Sequence, residues 1–343
     1  MPLLIRSPIR TGVARCVPIN RGNVNLIQKY HQHCSQEPSV PLFSQAWWLD
    51  ATAGPENWGA ALVTNGEEVM ASMPYVIRKR HGLTYLDHPP LTQTLGPWFR
   101  NVEGKPAQRL ARQKDWMESL IEQLPRFDRF AQNWPWQQTN WLPFYWKRFQ
   151  QTTRYTYILS DLSDPDSLWN GLQENIRREI KKARNRFNLR VREDLTIDDL
   201  LTLNKMTFNR QGMELPYSDD FVRRLDEACV RRNARRLLVA EDAEGRHHAG
   251  VYVVWDANAA YYLIGGGDPD LRNSGATSLC MWEAIRFAAT VTRTFDFEGS
   301  MLEPVERFFR AFGATQTPYF AVSKTPSRVL KTVAFLRDFR AGN

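Results

Sequence analysis

Apolar and polar positions change rhythm along the 343-residue chain. Residues 1–40 show no strong period. Phe43 to Asp50 then predicts a short helix. Trp58 to Thr64 reads as an apolar strand. Asn65-Gly66 is a strong two-residue hairpin signal, Glu68 to Ile77 is the returning strand, and Leu83 to Leu86 is a third. Residues 58–86 are therefore expected to form an antiparallel meander. The proline-laden run from Asp87 to Trp98 cannot be regular structure and predicts a loop, a common seat of binding groups. Ala107 to Gln123 predicts a helix stopped before Pro125, residues 126–150 are aromatic and broken by proline, and Thr152 to Leu159 alternates as a strand.

The second half is more sharply patterned. Asp164-Pro165 opens a helix as a cap residue followed by proline at the first position. Leu172, Ile176, Ile180, Ala183 and Phe187 recur at helical intervals, so one long helix is expected through Phe187. Its other face carries Arg177, Arg178, Lys181, Lys182, Arg184 and Arg186, a candidate nucleic-acid or phosphate surface. Helices follow over Thr196–Asn209, closed by Arg210-Gln211-Gly212, and over Ser218–Asn233. Strands are expected at Arg236–Glu241, Ala249–Trp255 and Ala260–Ile264. The last runs into Gly265-Gly266-Gly267, which is expected to end the strand and to admit a bulge or the close approach of a ligand or another backbone. A helix from about Ser278 to Ala289, a strand at Thr294–Phe297, a helix at Glu303–Phe312 and a strand at Tyr319–Ser323 complete the pattern.

Composition narrows the function classes. The formal net charge is +8, which favours anionic partners such as a phosphorylated donor, nucleic acid or acidic lipid headgroups. Four cysteines in no regular spacing read as free thiols in a reducing compartment. His31-Gln-His33 lacks partners at metal-site spacing, so no metal is expected. No stretch approaches the ~20 apolar residues that span a bilayer, and the first residues make no signal peptide. A cytoplasmic protein is expected, with contact at the inner face of the cell membrane left open. Ser300 has no histidine close in sequence, so a Ser/His/Asp nucleophile is set aside.

The order from Arg236 onward is a meander, a glycine-bearing turn, a helix, a strand, a helix and a strand. It resembles the GNAT acyltransferase fold, and Arg272-Asn273-Ser274-Gly275-Ala276-Thr277 resembles that family's coenzyme A pyrophosphate turn, with Thr277 where a small residue is usual. Tyr261-Tyr262-Leu-Ile-Gly-Gly-Gly, Phe295-Asp-Phe-Glu-Gly299-Ser300 and Arg307-Phe-Phe-Arg310-Ala-Phe-Gly313 are similar to the FemAB-related branch, which attaches amino acids to peptidoglycan precursors from aminoacyl-tRNA; other members lie in surface-polysaccharide pathways. The resemblance implies an α/β (α+β) fold with a mixed, mostly antiparallel sheet flanked by helices. It also implies two tandem GNAT-like halves, a degenerate one over 1–150 and a site-bearing one over 151–343. The expected activity is transfer of an acyl or aminoacyl group from acyl-CoA or aminoacyl-tRNA onto an amine of a cell-envelope or polysaccharide precursor, possessing no covalent enzyme intermediate. A non-catalytic GNAT-fold module is the alternative.

Strand alternation puts Asp296 and Glu298 on one face and Phe295 and Phe297 on the other. Glu298 is therefore the first candidate for accepting the amine proton, with Asp296 second and Tyr262 as a donor to the leaving group. Gly265, Gly266, Arg210, Gln211, Tyr217 and Ser300 are the candidate substrate-binding residues.

Overall fold

The computed structural model describes residues 21–299 and 301–341. The chain divides into two compact units, 1–154 with 319–343, and 155–318. The second boundary differs from a simple division into 1–150 and 151–343, because the end of the chain joins the first unit.

The first unit opens with α1 (Arg21–Gln36), a helix whose weak apolar period hid it in the sequence: only Tyr30, His33 and Cys34 are buried along its described side chains. Helix α2 (Ala46–Ala53) follows. Strands β1 (Trp58–Asn65), β2 (Glu68–Arg80) and β3 (Leu83–Asp87) form the expected antiparallel meander. The hairpin loop is Gly66-Glu67, one residue later than Asn65-Gly66, because a register shift between Val63 and Thr64 moves the closing pair to Asn65 and Glu68. Short β4 (Trp98–Phe99) pairs with β2. Between β3 and β4 the proline-rich loop is anchored by His88, whose Nε2 accepts the Asn133 N–H (2.7 Å), and by Trp48, whose indole donates to Thr92 Oγ1 (2.9 Å). Helix α3 (Pro106–Glu122) then crosses to β5 (Arg129–Asn133), which runs parallel to β3. Helix α4 (Leu142–Trp146) closes this stretch.

The second unit begins within β6 (Gln150–Leu159). The helix expected through Phe187 is two helices, α5 (Pro165–Gly171) and α6 (Glu174–Asn185). Leu172 is extended and buried at the break, and the Gln173 N–H leaves the helical ladder to bond the Ala311 carbonyl at 2.9 Å. Packing of Leu172 into the core thus overrides the continuous period. Next come β7 (Arg190–Arg192), α7 (Ile197–Arg210) with a Thr196/Asp199 capping box, and α8 (Asp219–Arg231). Strands β8 (Arg235–Glu241), β9 (His247–Trp255) and β10 (Ala260–Gly267) form a second antiparallel meander. Helix α9 (Ala276–Ala288) leads to β11 (Phe295–Asp296), parallel to β10 and antiparallel to β6. Helix α10 (Glu303–Arg310) precedes β12 (Thr315–Lys324), whose residues from Tyr319 onward belong to the first unit and pair there with β5, and α11 (Arg328–Ala341), also of the first unit, ends the described chain.

Each unit is mixed α/β with mostly antiparallel pairing, and the order repeats. Two helices, a three-stranded meander, a crossover helix and a parallel strand occur as α1, α2, β1–β3, α3, β5 and again as α7, α8, β8–β10, α9, β11. Apolar cores lie on Tyr30, Leu49 and Trp58 and on Phe130, Trp134 and Phe144 in the first unit, and on Ile180, Val251, Ile285, Phe295 and Phe297 in the second.

Candidate active site

The triple glycine does not end β10. Gly265, Gly266 and Gly267 pair with Val251, Gly250 and Ala249, and the irregularity falls earlier, between Tyr262 and Ile264. The glycines are needed for close approach of a backbone. A Cβ on Gly266 would stand 2.4 Å from the Asn204 nitrogen, so α7 lies directly on the strand, and a Cβ on Gly265 would strike the Tyr262 phenol. Asn204 donates from Nδ2 to the Gly265 carbonyl (2.7 Å), while its Oδ1 accepts from Tyr217 (3.0 Å). Tyr217 and Gly265 are thus joined through Asn204, a buried residue that sequence patterning treats as one more polar helix position. Arg210 and Gln211 lie exposed at the end of α7.

β10 and β11 share only two registered pairs, Ala260 with Phe295 and Tyr261 with Asp296. Beyond them the chain leaves β11 through Glu298 (φ 63°) and Gly299 (φ 60°). A left-handed glutamate is uncommon, and such strain persists where the surroundings enforce it, often at working sites. Gly299 is held there by packing: a Cβ would sit 2.3 Å from the Tyr155 carbonyl oxygen.

This turn brings Asp296 and Glu298 together. Asp296 Oδ1 accepts from the Thr156 hydroxyl and from the Glu298 N–H (2.8 Å). Burial pushes the Asp296 carboxyl up to about 6, against the lowering effect of those two hydrogen bonds. Burial, and then the Asp296 charge, raise Glu298 well above the usual carboxylate range. Glu298 Oε2 is enclosed and has no hydrogen-bond partner among the described residues. Phe295 and Phe297 face the core, their rings 4.9 Å apart. Asp296 and Glu298 meet across the turn, beyond the two residues of β11 over which strand alternation applies.

Tyr262 packs edge-on against Phe309 at 5.8 Å, and burial raises its phenol. The tyrosine in register with Asp296 is its neighbour Tyr261, whose phenol is raised by burial first and then by Asp256, Asp296 and Glu298. Strand alternation held the signal that separates the two tyrosines. Thr156 had none, because it reaches Asp296 from 140 residues away. Ser300 lies outside the described residues.

The Arg272–Thr277 turn is placed at the start of α9, with Gly275 as a left-handed cap (φ 81°). Ser274, Gly275 and Ala276 are buried, while Arg272, Asn273 and Thr277 are exposed. A Cβ on Gly275 would meet the Glu179 carbonyl oxygen at 2.3 Å and its carboxylate at 3.2 Å. Helix α6 therefore covers this glycine, and a pyrophosphate has the exposed Arg272, Asn273 and Thr277 to reach.

On α6, the cations divide. Arg177 donates to the Leu172 and Asn170 carbonyls (2.7 and 3.0 Å), closing the end of α5. Lys182 pairs with Glu179 and Arg184 with Glu283. Arg178 and Lys181 are exposed.

Residues 171–310, which contain both the carboxylate pair and the glycine turn, match the family model described as acetyltransferase (GNAT) domain. The second unit carries a GNAT domain. Its resemblance to known structures extends beyond the family match. FemX aligns with 88% of this chain and 96% of its own at 13% identity, with a TM-score of 0.62. The C-terminal domain of a putative lysylphosphatidylglycerol synthetase from Agrobacterium fabrum covers 92% and 96% at 12% identity and a TM-score of 0.53. A tandem GNAT protein from the clavulanic acid biosynthesis pathway covers 91% and 98% at 12% identity and a TM-score of 0.51. At these identities the likeness is one of fold. No curated protein sequence matches the chain at a significant level. Among the described residues no helix is long and apolar enough to cross a membrane.

Proposed function

We propose that the GNAT domain transfers an acyl or aminoacyl group directly onto an amine, with Glu298 as the base. The observation that carries this reading is the enclosed, unpartnered Oε2 of Glu298 beside Asp296, where β10 and β11 part. A raised carboxylate in such a place is poised to take the proton of the acceptor amine as its nitrogen attacks the donor carbonyl; the C–N bond forms, the thioester C–S or ester C–O bond breaks, and the proton passes on to the departing thiolate or alkoxide. Asp296 holds the turn and keeps a negative charge or a shared proton next to Glu298. Main-chain N–H groups of β10 past Tyr261, beyond the reach of β11, would steady the developing oxyanion. No covalent enzyme intermediate is required. An acceptor in the cell envelope or in polysaccharide synthesis fits the FemX and lysylphosphatidylglycerol synthetase likenesses.

The first unit is read as a degenerate copy of the same fold. Its order of elements repeats that of the second unit, yet β5 (Arg-Phe-Ala-Gln-Asn) offers no carboxylate where β11 offers Asp296.

The donor is acyl-CoA or aminoacyl-tRNA. One contact favours a donor other than coenzyme A: the Glu179 carbonyl and carboxylate lie against Gly275, where a pyrophosphate would otherwise approach. Calorimetry with coenzyme A decides between them. Micromolar binding that Arg272→Ala weakens makes acyl-CoA the donor; ligand at ~100 times its dissociation constant would also stabilise the protein by roughly 2.7 kcal/mol. Absence of binding sets coenzyme A aside and moves the test to aminoacyl-tRNA. If neither donor yields transfer to any of a panel of amino acids and amino sugars, the domain is a non-catalytic binding module.

A further inference from the structure

The first unit displays apolar side chains where a water-facing surface is expected to be polar. On α4, Leu142, Tyr145 and Trp146 are exposed, Trp146 at 50%. On α11, Val329, Val333 and Leu336 recur at helical spacing and are all exposed, with Phe335 beside them at 69%. The two elements are tied together: Lys324, four residues before α11, donates from Nζ to the carbonyl of Lys147, the residue that follows α4 (2.7 Å). The charges along these segments are mostly cationic, although Asp338 lies in the last turns of α11 and Lys147 pairs with Glu122 of α3 at 3.4 Å. Residues 141–150 contain Lys147 and Arg148 and no carboxylate; residues 324–336 contain Lys324, Arg328 and Lys331 and no carboxylate. Lys114 adds a further cation, its ammonium 5.5 Å from the Trp146 ring centre.

We propose that α4 and α11 form a docking surface for an anionic lipid bilayer. Tryptophan and tyrosine favour the interfacial layer, where an apolar ring and a polar edge are both satisfied. Lysine and arginine stems lie along apolar surface while their charges meet the headgroups. Cations near an anionic leaflet add to the attraction, and apolar side chains sink into the headgroup boundary. Single-stranded RNA would also take aromatic rings and cations, but it stacks on rings and gains nothing from Val329, Val333, Leu336 and Leu142. The aliphatic residues therefore favour lipid. The proposal is independent of the acyl-transfer reading.

The test is co-sedimentation of the full chain with vesicles of phosphatidylcholine alone and of phosphatidylcholine with phosphatidylglycerol, at low and high salt. Binding is expected to the mixed vesicles, weaker at high salt. Trp146→Ser with Phe335→Ser is expected to reduce it about ten-fold or more, and each of Lys147→Gln and Arg328→Gln roughly five-fold. These side chains are exposed, so thermal melts are expected to stay unchanged; Leu110→Ser serves as an exposed apolar control outside the two segments. No binding to either vesicle, or binding that the Trp146/Phe335 variant leaves intact, overturns the proposal. A dimer in solution that the same variant dissolves, without vesicle binding, assigns the surface to a second copy and likewise overturns it. RNA binding that outcompetes the vesicles does the same.

Discussion

The Glu298 N–H donates to Asp296 Oδ1 at 2.8 Å, so the backbone that turns left-handed at Glu298 is tied to the carboxylate it faces. One residue is thereby held by its main chain while its own carboxyl stays enclosed and unpartnered.

Glu298→Gln keeps the shape and removes the proposed base. Acyl transfer is expected to fall about a hundred-fold or more, with the melting temperature unchanged or higher, because an enclosed unpartnered carboxyl disfavours ionisation. In the native enzyme the rate should rise with pH as Glu298 ionises, well above the usual carboxylate range. A pH–rate profile shared by native and variant proteins removes Glu298 from the mechanism.

Asp296 makes a separate prediction about stability. Its carboxyl is raised to about 6 in the folded chain, against roughly 3.9 unfolded. The folded state therefore holds the proton more tightly between those values, and stability falls as pH rises through that window. The contribution is present below about pH 4 and lost above about 6, and is worth on the order of 3 kcal/mol. Asn at 296 can still accept from Thr156 and Glu298. Asp296→Asn should gain on the native protein by that order across the window in denaturant melts; parallel curves would count against the burial argument.

Asp242 is expected to behave in the opposite sense. Burial alone would raise its carboxyl, but hydrogen bonds from His248 (2.9 Å) and Arg246 outweigh this and hold it well below its ordinary value. Its contribution is present above the unfolded value near 4 and lost as pH falls towards the folded one. The destabilisation caused by Asp242→Asn should be full at neutral pH and shrink in acid, as read from melts at several pH values.

Gly266→Ala and Gly245→Ala separate close approach from backbone strain. At Gly266 the added Cβ meets the Asn204 and Leu203 backbone within 2.6 Å; at Gly245 (φ 77°) it meets open space. Gly266→Ala is expected to lose about 3 kcal/mol or to displace α7. Gly245→Ala should lose about 1 kcal/mol. Equal losses in chemical denaturation would mean that α7 yields without cost.

Arg177→Ala and Arg178→Ala divide the basic face of α6. The first removes donors to the carbonyls that end α5 and is expected to lose about 1–2 kcal/mol of stability. The second should leave stability unchanged and weaken polyanion binding in a salt-dependent manner. If Arg177→Ala weakens such binding and leaves the melt untouched, the capping role is wrong.

Much of the fold was legible because long segments keep one period. The 58–86 meander and the meander–helix–strand order after Arg236 stand as read. The break at Leu172 was hidden, since Leu172, Ile176 and Ile180 still fit one helical face; only the Gln173–Ala311 bond shows where the ladder stops. The glycine triplet read as a strand end because two features compete there, and close approach of α7 wins over disruption of pairing. The repeat was invisible in residues and plain in topology, since pairing direction and element order survive where side chains do not. In the site, Asp296 and Glu298 are close in sequence and are joined by the left-handed turn at Glu298, which alternation does not foresee, whereas Thr156 and Asn204 are brought in by tertiary packing that no local pattern encodes.

β10 and β11 form a wedge whose apex is the pair Tyr261 and Asp296. Past that apex the chain is pinned by Phe297, whose ring lies 5.2 Å from Phe309 and 5.6 Å from Phe312, and whose N–H bonds the Tyr157 carbonyl. The backbone just past the last β10–β11 pair is thus anchored by close-packed aromatic rings. The carboxylate pair therefore inherits its position from the packing of the core, so substitutions at Phe297, Phe309 or Phe312 should be felt at Glu298 although none of the three carries a polar group.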